Sequence, residues 1–202
     1  MKLKTLIPKS EVRRTVVERR REISPEEVRN KSKLISNRLT AVDEYLYAKK
    51  IHTYISTKAG EVDTRALIDF MMNDGKLVVL PKLNKAAKKF QRANFTGWDN
   101  LIKNHDGYYE PSTATDEDLT DIDLIIVPAM AVSLLGQRVG YGGGFYDGLL
   151  KKTHAVKIVL ALEFQVFDHI ETDPHDIRVD KVITERRVIN TREPMERNSE
   201  LL

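Results

Sequence analysis

The chain has no cysteine. That absence excludes disulfide scaffolds, thiol nucleophiles, iron–sulfur clusters and zinc–thiolate ribbons together. No apolar run approaches the roughly 20 residues that span a bilayer. The opening stretch MKLKTLIPKSEVRRTVVERRR has no apolar segment before a small-residue cleavage site. A cytoplasmic protein with no membrane partner is expected. Excess charge is scarce too: 33 Lys+Arg against 30 Asp+Glu leave +3, too little to argue for nucleic acid. The five histidines show no metal-ligand spacing, so no zinc site is expected. What remains is a globular composition, 41% apolar and 31% charged, which excludes a disordered chain. There is no internal repeat, low-complexity tract or interdomain linker. Residues 1–202 therefore read as a single domain, with 190–202 as a frayed polar tail.

The small net charge conceals its distribution. Residues 1–40 carry twelve Lys and Arg against five Glu, a net of +7, which leaves −4 for the other 162. A basic N-terminal arm suggests an anionic partner. Arg19, Arg20 and Arg21 by themselves read as a solvated helix face. The acidic counterpart, residues 110–123, has no basic residue and reads as a polar loop without chemistry.

Ser24-Pro25-Glu26-Glu27 is a helix start. Ser24 supplies the cap, Pro25 the first helical position, and Glu27 closes a capping box. The helix should run to about Leu39, with Val28, Leu34, Ile35 and Leu39 turned inward. An earlier helix over 10–22 has Val12, Val16 and Val17 on one side. Residues 50–56 read as a strand. Asp63-Thr64 opens a helix through Leu67, Ile68, Phe70 and Met71 that stops at Asn73-Asp74-Gly75. Apolar runs at 77–80, ended by Pro81, at 124–127 and at 156–162 have the signature of buried strands, and 182–184 is a shorter candidate. Strands of this kind alternating with helices predict a three-layer α/β/α domain with a mostly parallel open sheet.

Six of the ten glycines fall within residues 136–148. Concentration like this marks backbone that approaches something closely or adopts positive φ. An apolar strand, a connection through Gln137 and Arg138, the loop GYGGGFYD over 140–147, then a helix is a layout that holds phosphate. Unpartnered N–H groups and the helix dipole both favour an anion there. No Gly-Lys-Ser/Thr follows, so this is no Walker loop; Phe145 stands where a dinucleotide fingerprint needs glycine. Arg138 is either a bidentate phosphate donor or a surface arginine. Asp147 either holds a phosphate-bound Mg2+ or complements a helix N-terminus. Tyr141 and Tyr146 either stack on a planar ring or pack.

GYGGGFYD, preceded by VPAMAVSLLGQRV, closely resembles the signature of the 5-formyltetrahydrofolate cyclo-ligase family, also called 5,10-methenyltetrahydrofolate synthetases. The resemblance spans nearly the whole chain. It takes in Lys9 and Arg13 on the first helix, Glu61-Val62-Asp63-Thr64, Tyr108-Tyr109-Glu110-Pro111, His175-Asp176, Asp180, and Ile183-Thr184-Glu185. Departures stand at Ala129, at Val132-Ser133, where the family has Phe-Asp, and at Phe145, where it has tyrosine.

The resemblance implies ATP- and Mg2+-dependent closure of 5-formyltetrahydrofolate to 5,10-methenyltetrahydrofolate, with release of ADP and phosphate. The formamide oxygen is a poor leaving group. Phosphorylating it gives an imidate phosphate that N10 can attack, and no protein nucleophile is needed. By resemblance, Lys9, Arg13, Arg138, Gly140, Gly142, Gly143, Gly144, Phe145 and Tyr146 bind ATP, with Arg138 also catalytic. Asp147 and Asp176 hold Mg2+. Ser56, Glu61 and Tyr141 contact the folate, polyglutamylated or not. A monomer without a nucleic-acid partner is expected. Two other classes stay open on the residues alone. One is a sugar-phosphate isomerase or CoA transferase on a similar sheet; the other is a non-catalytic nucleotide-binding module.

Overall fold

The computed structural model describes residues 6–84, 89–105, 107–114, 119–142 and 144–192. In chain order the elements are α1 (Lys9–Glu22), α2 (Pro25–Leu39), a single-turn α3 (Asp43–Leu46), β1 (Lys50–His52), α4 (Arg65–Asn73), β2 (Leu77–Asn84), β3 (Lys89–Asn94), β4 (Leu101–Lys103) and β5 (Tyr109–Pro111). They continue with β6 (Leu124–Ile126), β7 (Ala131–Ser133), β8 (Arg138–Val139), α5 (Phe145–Leu150), β9 (Val156–Leu160), β10 (Val166–Phe167), β11 (Lys181–Ile183) and β12 (Val188–Asn190).

Seven strands form the main sheet in the order β12-β11-β9-β6-β1-β2-β3. The five central strands run parallel, and β12 and β3 add antiparallel edges. Alternation along the strands splits the core into two faces, as a pleated sheet requires. Ile51, Val78, Leu80, Leu124, Ile126, Ile158, Leu160 and Ile183 pack on one face with Ile35 and Leu39 of α2 and Leu67, Ile68 and Met71 of α4. Val79, Ile125, Val159 and Val182 pack on the other with Leu149 and Leu150 of α5. The three layers expected from the buried apolar runs are present.

Local chemistry accounts for the boundaries. Ser24 Oγ accepts the Glu27 N–H at 3.1 Å and so starts α2. Val28, Ile35 and Leu39 face inward, but Leu34 lies on the outer side at 47% exposure. Residues 53–56 leave the sheet after β1 instead of extending it. Pro81 does not end β2, which continues to Asn84. β1 pairs with β2 only as far as Val79, so beyond that point proline meets an unpaired edge, where its missing N–H costs no ladder bond. The first residues of the expected 190–202 tail are held in place: Asn190 closes β12 opposite Lys181, and the side chain of Arg192 pairs with Asp180. Residues 193–202 lie outside the described ones. The acidic stretch contributes structure. Asp123 Oδ2 accepts the N–H groups of Lys49 and Lys50 at 2.8 Å each, and Asp121 pairs with Lys50 and Arg92.

A smaller sheet, β10-β7-β8, carries α1. Val12 and Val16 of α1 pack on Met130, Ala131, Val139 and Ile170. Arg138, expected in a connection, is a strand residue here. The β7–β8 turn is built on Ser133, whose buried hydroxyl donates to Gln137 Oε1 at 2.9 Å and accepts the N–H groups of Leu135 and Gln137. A hydroxyl thus serves the turn at this departure from the family pattern.

Candidate active site

The chain crosses from β1 to β2 on one side, and β6 lies on the other side of β1. This reversal is a topological switch point, which leaves a crevice outside the carboxyl ends of the strands. Tyr54 and Ile55 follow β1, Pro81 and Leu83 lie late in β2, and Pro128 follows β6. All five line a cavity of about 610 Å³.

The glycine loop forms one wall. Gly142 and Gly144 have φ of +102° and +67°, the region that favours glycine. Among the described residues, and apart from the chain neighbours, no atom lies within 4 Å of where a Cβ would stand on either residue. The backbone therefore faces open space, and α5 begins at Gly144 without a side-chain cap on its first amides. Unsatisfied N–H groups beside a cavity are an anion site in waiting.

Cations converge on this wall from distant parts of the chain. Arg138 is buried, and its Nη2 donates to Asp147 Oδ1 at 2.6 Å. Arg13 Nε of α1 donates to the Gly140 carbonyl at 3.2 Å. Lys9 Nζ donates to Asp173 at 2.6 Å and to Asp176 at 2.5 Å. Burial works to lower the Lys9 ammonium, but its bonds to the two carboxylates outweigh that and hold it above its ordinary value.

Asp173, His175 and Asp176 bring one ligand atom each to within 4.8 Å of one another. Two carboxylates and a ring nitrogen suit a hard divalent cation that keeps water and phosphate oxygens as its other ligands. The Ile177 N–H donates to Asp147 Oδ1 at 3.2 Å, which brings Asp147 to the backbone next to Asp176. The expected pair therefore shares one corner. Asp147 is taken up by Arg138, however, and the groups clustered with Asp176 are Asp173 and His175.

A second wall, the loop after β1, carries Glu61, which meets Tyr141 of the glycine loop. The Tyr141 hydroxyl donates a short bond to Glu61 Oε1. Glu61 Oε2 accepts the N–H groups of Thr57 and Lys58 at 3.0 Å each. Desolvation and the neighbouring Glu61 carboxylate push the Tyr141 phenol above its ordinary value. Lys58 Nζ stands 3.7 Å from the centroid of the Tyr141 ring, a cation–π contact. A third, apolar surface comes from Phe90, 5.7 Å from Phe145 and 5.0 Å from Tyr146 between ring centroids. The Tyr146 hydroxyl is buried and has no hydrogen-bond partner among the described residues. Burial pushes it up although Arg138 pulls the other way, so it stays protonated.

Of the residues singled out in the sequence, Lys9, Arg13, Glu61, Arg138, Gly140, Tyr141, Gly142, Gly144, Phe145, Tyr146, Asp147 and Asp176 all line this cavity. Gly143 lies outside the described residues. Ser56 is not a lining residue. Its hydroxyl accepts the Thr64 N–H at 3.1 Å and faces Asp63 at 3.4 Å, so it fixes the turn into α4, and Thr57 and Lys58 take the place expected of it. Trp98 packs on Phe95 and donates to Asp69 at 2.6 Å, away from the cavity. Sequence reasoning missed Tyr54, Lys58, Phe90 and Asp173. Asp173 stands three residues before Asp176 and was legible as a second carboxylate; Phe90 lies on an edge strand that the apolar pattern did not mark.

A mostly parallel open sheet whose switch-point cavity is lined by Lys9, Arg13, Lys58 and Arg138, a glycine loop and a carboxylate cluster points to a class: an α/β protein with a site suited to an anion. Comparison with known proteins specifies it. The family model described as the 5-formyltetrahydrofolate cyclo-ligase family matches residues 7–185, and the chain belongs to that family. It is similar to the 5-formyltetrahydrofolate cyclo-ligase of Escherichia coli K12, 28% identical over 85% of this chain and 97% of that one. It is also similar to that of Mus musculus, 27% identical over 86% and 92%. The NMR structure of Aquifex aeolicus 5,10-methenyltetrahydrofolate synthetase superposes with a TM-score of 0.81 at 33% identity, covering 92% of this chain and 94% of that one. Among the described residues no helix is long and apolar enough to cross a membrane.

Proposed function

We propose that the protein closes 5-formyltetrahydrofolate to 5,10-methenyltetrahydrofolate at the expense of ATP, which leaves as ADP and phosphate. The observation that carries this is the meeting of Lys9, Arg13 and Arg138 with Glu61 and Tyr141 in one cavity, a polyanion-binding half beside a half suited to a hydrogen-bonding ring.

Lys9, Arg13, Arg138 and the amides from Gly140 to Tyr146 hold the triphosphate. Phe90, Phe145 and the ring of Tyr146 offer a flat apolar surface. Glu61 faces the donor edge of the pterin. A carboxylate has about four lone-pair positions; Glu61 has filled three of them within the protein, which fixes the direction of the remaining one. Tyr141 stands against the same ring. Asp176 with Asp173 or Asp147 would hold Mg2+, which when bound would supply charge neutralisation for the phosphoryl group. Transfer of that group to the formyl oxygen makes the oxygen a leaving group; N10 attacks the formyl carbon and loses its proton, the C–O bond breaks, and the proton is accounted for in the departing hydrogen phosphate. Arg138, dry and aimed by Asp147, stabilises charge on the transferred group. The reaction needs positioning and cation charge, which the site has, and no thiol, which the chain lacks.

The protein acts as a cytoplasmic monomer in this reading, with polyglutamylated folate an acceptable substrate. The test mixes purified protein with 5-formyltetrahydrofolate and Mg·ATP and follows methenyltetrahydrofolate absorbance. ATP-dependent product that stops on addition of EDTA supports the reading. Absence of product, or product without ATP, overturns it.

A further inference from the structure

Arg20 lies about two turns beyond Arg13, the last cation of α1 that reaches the cavity. It does not line the cavity, and the sequence presents it as one of three arginines on a solvated face. The structure gives it three contacts and one buried polar atom without a partner. Its Nη1 donates to the Tyr141 hydroxyl at 3.0 Å. Its guanidinium carbon stands 5.9 Å from the centre of the Tyr141 ring. Its Nε is buried without a partner among the described residues. Its aliphatic stem presses on Gly60, where an added Cβ would meet Arg20 Cγ at 2.7 Å and Cβ at 2.8 Å. Gly60 has φ +72° and immediately precedes Glu61.

We propose that Arg20 is a positioning residue that sets Tyr141 and Glu61 for the folate; this rests on the function proposed above. The Tyr141 oxygen accepts from Arg20 and donates to Glu61, so the guanidinium fixes which way the phenol proton points. Glu61 in turn holds the amides of Thr57 and Lys58. The stem of Arg20 sets the height of the same loop through Gly60. One side chain of α1 thereby ties together the glycine loop and the loop after β1, the two walls between which the pterin must sit. A shorter or apolar side chain at this position leaves Tyr141 free to turn and Glu61 without its orienting donor.

The test combines kinetics with amide exchange. Arg20→Leu should raise KM for 5-formyltetrahydrofolate roughly tenfold and leave KM for ATP within roughly twofold, the range of coupling inside one hydrogen-bonded network. Arg20→Lys keeps the stem and one donor and should recover most of the loss. Tyr141→Phe should reproduce the defect, and the double variant should be no worse than either single one. In the free protein, Thr57 and Lys58 amides of Arg20→Leu should exchange roughly tenfold faster. Equal rises in both KM values, additive defects in the double variant, or unchanged exchange would each overturn the proposal. A wild-type protein without cyclo-ligase activity would sink the proposed function instead, and the exchange rates alone would then judge Arg20.

Discussion

Arg138 and Asp147 hold opposite charges in a nearly dry corner, their side chains 4% and 16% exposed. Removing the charge of one partner leaves the other buried and uncompensated, a situation that costs about 3 kcal/mol or more. Asp147→Asn keeps an acceptor oxygen but not the charge. It should lower the urea-unfolding free energy by about 3 kcal/mol and cut turnover about 100-fold, as losing an aimed charge does. His52 presents the reverse case. Both its nitrogens are buried without a partner among the described residues, and its ring meets Tyr146 edge-on at 6.2 Å between centroids. Burial lowers its pKa from 6.5 to about 4. The unfolded chain therefore takes up a proton between those values that the folded chain refuses. Stability should be lost as pH falls through that window, by roughly 3 kcal/mol in total. Urea unfolding at pH 7 and pH 4.5 checks this, and His52→Leu should flatten the difference.

Among the elements, the β7–β8 turn and the loop after β8 show what glycine is for in this chain. A Cβ on Gly136, at φ +76°, would stand 2.4 Å from the Val179 carbonyl oxygen and 2.9 Å from Thr191 Oγ1. Gly136→Ala should cost about 2–4 kcal/mol by thermal or urea unfolding. Gly142→Ala meets open space and should cost only the strain of positive φ, about 1 kcal/mol; any larger loss of nucleotide affinity in that variant marks a ligand in that space. Glycine concentration was the sequence's strongest local signal, yet it did not distinguish these two uses. The central strands were legible because burial on both faces makes them continuous apolar runs, as at Ile125 and Val159. The short strands β7, β8 and β10 and the edge strand β3 carry mixed residues such as Ser133, Arg138 and Arg92, so neither period marks them. The site was legible through residue types, in Lys9, Arg13, Glu61 and Asp147. Ser56 and Arg20 were misjudged because a hydroxyl's partner and an arginine's reach depend on segments distant in sequence.

Across the whole molecule, the cavity draws on α1, the loop after β1, β2, β3, β8, α5 and the segment around Asp176. A ligand that binds there crosslinks all of them without a covalent bond. Mg·ATP at about 100 times its Kd should stabilise the fold by about 2.7 kcal/mol, a rise of about 5–10 °C in Tm at this size; differential scanning fluorimetry checks it, with AMP as the weaker control. The same convergence has a consequence in time. Ile7 bridges Ile170 as a parallel pair, and Lys9 finds its carboxylates 164 and 167 residues later. A chain leaving the ribosome can cover Val12 and Val16 in part once Met130, Ala131 and Val139 are made, but Ile170 and the partners of Lys9 come only later. The corner around Lys9 therefore cannot close until the segment holding Asp173 and Asp176 has emerged, and on the function proposed above an interrupted chain that already holds the glycine loop would still lack the carboxylate end of its nucleotide site.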